Sequence, residues 1–101
     1  MIPGTTPTHT FKLPSQIDGS DISALRITYE QGGKIVLQKE KNECTVSEHS
    51  IVVKLSQDES LLFSSNVPIR IQVKVLTTGD NVLVSKVIEK SVYVVLDKEA
   101  I

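Results

Sequence analysis

The chain has 101 residues, enough for one domain of ordinary size, and its eleven basic and twelve acidic side chains nearly cancel. The charges of both signs are scattered, which argues against a nucleic-acid binder and the basic cluster such a protein carries. No apolar run reaches the ~18–20 residues of a membrane-spanning helix, so no membrane partner is expected.

The opening MIPGTTPTHTF lacks the basic and apolar regions of a secretory signal. A single cysteine, Cys44, cannot form an internal disulfide and suits a chain made in a reducing cytoplasm. A domain of this size buries only ~60–70% of the surface its unfolded chain exposes, so its core must be dense. Thirteen Val, ten Ile and nine Leu supply that core, against two Ala. Branching at Cβ stiffens χ1 and suits a pleated surface, so this balance favours strands over helices.

Residues 1–7, MIPGTTP, predict an extended N-terminal arm, because Pro3 and Pro7 bias the preceding residues away from helix. A single domain over residues 8–97 follows, with a short tail at 98–101. His9, Phe11 and Leu13 alternate with Thr8, Thr10 and Lys12, which predicts a first strand closed by Pro14. Residues 15–21, SQIDGSD, read as a loop. Leu25, Ile27 and Tyr29 then alternate with polar residues to give a second strand. Gly32-Gly33 predicts a tight hairpin into a third strand over Lys34–Lys39, since glycine accepts the positive φ of such turns. KEKNE at 39–43 reads as a charged connection at a sheet edge. Thr45–Val46 predicts a brief pairing, and Ser50–Leu55 a further strand.

Ser56 with Glu59 three residues on is a capping box, in which each side chain satisfies a backbone N–H of the other residue. It predicts a short helix near residues 57–63, ended by Ser64-Ser65-Asn66 and Pro68. Pro68–Thr77, PIRIQVKVLT, is the best-marked strand. Ile69, Ile71, Val73 and Val75 share one parity, and Arg70, Gln72 and Lys74 lie on the other. Its central residues, Ile71 and Val73, are the expected centre of the core. After the turn Thr78–Asn81, residues Val82–Leu96 form a β-rich run of fifteen. That is long for one strand and predicts a bend near 85–91, either joining two sheets or bending along one. No strand–helix–strand alternation occurs. The fold class expected is all-β, an immunoglobulin-like antiparallel sandwich of 6–8 strands.

No constellation of catalytic or ligating residues stands out. Cys44 and His49 lie five apart, each preceded by a glutamate (Glu43 and Glu48), without the paired spacing of a zinc site, so no metal and no cofactor is expected. The pairs Asp18/Asp21 and Asp58/Glu59 fit loop and cap positions better than a cleft flanked by carboxylates. Gly32-Gly33 lacks the sequence of a phosphate loop. The candidate functional feature is the threonine-rich stretch Thr5, Thr6, Thr8, His9, Thr10 and Phe11. Its β-competent pattern could add as a strand to a sheet edge of a neighbouring subunit.

Pro3-Gly4-Thr5-Thr6-Pro7-Thr8-His9-Thr10-Phe11 with Leu13-Pro14 resembles the opening of small structural proteins encoded by prophages of Gram-positive bacteria. Three later stretches fit the same pattern: LRITYEQ at 25–31, LSQDE at 55–59 and IQVKVLT at 71–77. In size and pattern the chain is also similar to the immunoglobulin-like N-terminal domain of upper baseplate proteins of long-tailed phages. The resemblance implies a non-enzymatic component of the tail or baseplate region, made in the bacterial cytoplasm and carried in the virion. Its partners would be other phage structural proteins or further copies of itself. A small carbohydrate- or ligand-binding module is the alternative, with Tyr29 and Tyr93 as its only tyrosine platforms. A cytoplasmic regulator of phage genes is a third reading, weakened by the balanced charge.

Overall fold

The computed structural model describes residues 1–101 and contains eight strands and one short helix. In chain order these are β1 (Thr8–Lys12), β2 (Ile22–Gln31), β3 (Lys34–Glu40), β4 (Thr45–Val46), β5 (Ser50–Lys54), α1 (Gln57–Ser60), β6 (Ile69–Thr77), β7 (Val82–Val84) and β8 (Ile88–Lys90). They form two antiparallel sheets. One has the order β1-β5-β4. The other has the order β3-β2-β6, with β7 and β8 both on the far side of β6. The all-β sandwich expected from the sequence is the fold observed.

The connectivity follows an immunoglobulin-type sandwich, whose sheets are A-B-E-D and G-F-C-C′. Strands β1, β5 and β4 take positions B, E and D. Strands β3, β2 and β6 take C′, C and F, and β7 with β8 takes G. No strand of the chain occupies position A, beside β1.

Period-2 patterning places the core. Ile69, Ile71, Val73 and Val75 of β6 are buried, while Arg70, Gln72 and Lys74 are exposed. Strand β2 brings Ile27 opposite Val73 and Tyr29 opposite Ile71. Ile51, Val53 and Leu55 close over them from the other sheet. Gly32 (φ +58°) and Gly33 (φ +83°) make the β2–β3 hairpin turn, since both positions need the left-handed region. The Glu30 carboxylate accepts the Gly33 N–H at 2.9 Å.

The capping box forms as expected. Ser56 Oγ accepts the Glu59 N–H at 3.1 Å, and Glu59 Oε1 accepts the Ser56 N–H at 2.8 Å. The helix is one turn, shorter than 57–63; beyond it Leu62 is exposed and only Phe63 turns into the core.

The fifteen-residue run at 82–96 carries the expected bend and pairs only as far as Lys90. It bends along one sheet at Ser85. The Ser85 N–H donates to Val73 O at 2.8 Å, while Ser85 Oγ accepts the Val73 N–H at 2.9 Å. The hydroxyl thereby substitutes for a backbone carbonyl. Pairing shifts by one residue, from Lys74 opposite Val84 to Ile71 opposite Ile88. After Lys90 the run leaves the sheet: Val92 is buried, but Val94 and Leu96 are exposed.

Residues 1–7 do not project as an extended arm. They turn at Gly4 (φ +84°) and fold back on their own domain. Ser60 Oγ, fully buried, accepts the Gly4 N–H at 2.9 Å and donates to Thr5 O at 2.6 Å. The Met1 ammonium donates to Ser91 O, and Tyr93 N–H donates to Met1 O.

Three outcomes follow. Ile71→Ala should lower the unfolding free energy by about 2–4 kcal/mol in urea titration, through lost burial and the cavity left behind. Lys54→Gln, on an exposed position of β5, should stay within about 0.5 kcal/mol. Ser60→Ala leaves the Gly4 N–H and Thr5 carbonyl without their partner. It should cost about 1–2 kcal/mol and speed proteolytic cleavage within residues 1–6.

Candidate protein interface

The direction of each backbone group in β1 follows from its pairing. Thr8 lies opposite Lys54 and Lys12 opposite Ser50. In the same register Leu55 N–H donates to Pro7 O, and Leu13 N–H to His49 O. Backbone bonds to β5 therefore fall on the odd residues, because antiparallel pairs alternate between bonded and non-bonded positions. The N–H and C=O groups of Thr8, Thr10 and Lys12 consequently point away from β5, to the side where no strand lies.

The other sheet edges are blunted in ways that natural sheets use to prevent pairing. Strand β4 has two residues. The β7–β8 edge is broken by the bulge at Ser85. Strand β3 carries a register shift opposite Tyr29/Glu30, and its Lys39 points inward. The Lys39 side chain is 7% exposed and is held by the carboxylates of Glu59 and Glu43. Burial alone would lower the Lys39 pKa, but those hydrogen bonds and charges outweigh it and raise it. The KEKNE segment lies at a sheet edge as expected, but its first residue is a buried anchor. Its sequence signal was parity, because Lys39 falls in step with Ile35 and Leu37.

Strand β1 has five residues, no bulge and no inward charge. Its open edge borders an apolar groove of about 290 Å³ between the sheets. Phe11, Leu13 and Ile51 form one wall and floor; Val73, Val75, Leu83 and Ile88 form the other. Leu83 and Ile88 stay 41% and 37% exposed although their partners in the ladder, Val75 and Ile71, are buried. This is the seam that a strand at position A would cover.

The six candidate arm residues divide. Thr5 and Thr6 are exposed on the folded-back terminus, and Thr8 and Thr10 lie on the open edge. His9 and Phe11 are buried side chains of β1 that do not project from the domain, and Phe11 lines the groove from within. The edge of this stretch is therefore placed to receive a strand, where the sequence suggested donating one.

His9 Nδ1 lies 2.8 Å from the Tyr29 hydroxyl. The two rings are 5.6 Å apart, and Phe63 continues the stack at 5.7 Å from Tyr29. Burial lowers the His9 pKa, helped by the positive charges of Lys90 and the N-terminus. Burial likewise raises the Tyr29 pKa, so both groups are neutral at pH 7. Tyr29 is wholly buried, leaving Tyr93 as the one solvent-facing tyrosine.

The remaining candidates are not brought together. His49 is exposed beside Glu48, while the half-buried Cys44 thiol contacts Glu40 O and has its pKa raised by burial. Asp18 Oδ1 accepts the Ser20 N–H at 2.9 Å and caps a single turn. No three metal-ligating side chains converge. No helix is long and apolar enough to cross a membrane.

The depressed His9 pKa has a pH consequence. Below 6.5 the unfolded chain takes up a proton at His9 before the folded chain does, so stability falls as pH drops through that value. Urea midpoints measured at about pH 7.5 and about pH 5.5 should show a smaller acid loss for His9→Gln than for the parent.

Comparison with protein-family models, with characterised proteins and with solved structures finds no match for this chain.

Proposed function

We propose that this chain is a non-enzymatic interaction module that joins other proteins by strand addition at β1. The observation carrying this reading is the conjunction at one place of an unpaired, unprotected strand edge and an apolar groove. Strand addition uses both: main-chain hydrogen bonds at the edge give affinity, and alternate side chains of the incoming strand fill the groove. The sequence resemblance narrows the setting to the tail or baseplate region of a prophage particle. There, many copies dock onto other structural proteins after synthesis in the bacterial cytoplasm.

Two measurements test this. Mass spectrometry of purified, induced particles should find the chain at a fixed ratio to tail proteins; its absence from assembled particles overturns the virion setting. Hydrogen exchange should show the Thr8, Thr10 and Lys12 amides fast in the free chain and slowed in the particle. Unchanged exchange at those amides overturns the docking mode.

A further inference from the structure

The chain carries a second stretch of unpaired β-competent backbone. The amides of Val94, Val95 and Leu96 donate no hydrogen bond, and the carbonyls of Tyr93–Leu96 accept none. Val94 and Leu96 are 57% and 97% exposed. Three β-branched or leucine residues in a row favour a strand, yet here they have no ladder. Val92, buried and accepting the Asn66 N–H through its carbonyl, anchors the start of this stretch. Val95, half-buried, lines a surface pocket together with Pro3 and Phe63 of its own domain. Val94 and Leu96 are exposed on either side of it, spaced by two as a strand needs to fill a groove on one side.

We propose that the open edge of β1 receives the segment Tyr93–Asp97 of a second copy, resting on the strand-addition reading above. Val95, opposite Thr10, exchanges both backbone hydrogen bonds with it, and the Tyr93 carbonyl accepts the Lys12 N–H while the Tyr93 N–H stays on Met1 O. Val94 and Leu96 enter the groove against Phe11, Leu83 and Ile88. The incoming segment runs antiparallel to β1, which brings the Asp97 carboxylate to the Thr8 end. Lys90 lies there, close enough to His9 to disfavour its protonation. The charges match, and docking asks only that the bend at Leu96 straighten, because Val92 keeps its own contacts. Donor and acceptor are different surfaces, so the association is head-to-tail unless two copies exchange segments reciprocally.

The test is native mass spectrometry and sedimentation at rising protein concentration. The parent chain should pass from 11.1 kDa to multiples of that mass. Leu96→Asp removes the donor at an exposed position and should abolish association while leaving the melting temperature unchanged. Thr10→Pro removes an edge N–H that makes no bond to β5, and should abolish association from the acceptor side. A mixture of the two variants pairs the intact acceptor of one with the intact donor of the other. It should form a 1:1 heterodimer and nothing larger. A parent chain that stays monomeric at every concentration overturns the inference, as does association that survives Leu96→Asp. A monomeric chain still found in particles overturns this inference alone and leaves strand addition by another protein standing.

Discussion

Pairing along both sides of β6 is the constraint on which the rest of this domain depends. On one side β2 matches it over nearly its whole length, and on the other β7 and β8 share it. Every inward side chain of β6 is thereby fixed in register, and Ile71 and Val73 meet Tyr29 and Ile27 without choice. The second sheet is smaller and leans on this one through Ile51, Val53 and Leu55. A sandwich needs its inner faces covered to the rim. Here three strands oppose a longer sheet, and the shortfall appears as the groove beside β1.

Sequence pattern read most clearly where one residue's environment follows from its parity. Strands β1, β2, β5 and β6, the glycine hairpin and the capping box were all legible for that reason. The run 82–96 was not, because it is apolar on both parities and period alone cannot say where pairing stops. What interrupts it is a specific bond: the Ser85 hydroxyl stands in for a carbonyl, and nothing about serine in a valine-rich stretch announces that. Gln31 was equally silent. Its side-chain amide holds both Ser64 and Val67 and so fixes the loop before β6. Such contacts join residues more than thirty apart, and local composition carries no trace of them.

The candidate site was half visible. The threonine-rich stretch was singled out from its composition, and it does contain the edge strand. Its role as donor rested on a free terminus, whereas Ser60, Ser91 and Tyr93 tie the terminus down. The groove could not be read, because it arises from a strand position that goes unfilled. Lys39 sharpens the contrast. A buried cation, expensive unless paired, sits on one edge with two carboxylates around it. The edge at β1 has only neutral residues facing inward.

Both ends of the chain lie at one pole. The ammonium of Met1 rests on Ser91, and the last amide, of Ile101, reaches Gln57 of the helix that also holds Gly4. Force applied between the termini would therefore act across a few bonds at that pole and break them one after another. It would not load the long β2–β6 ladder in parallel. Peeling from either end meets β1 on β5 and β8 on β6 before it reaches the β2–β6 ladder.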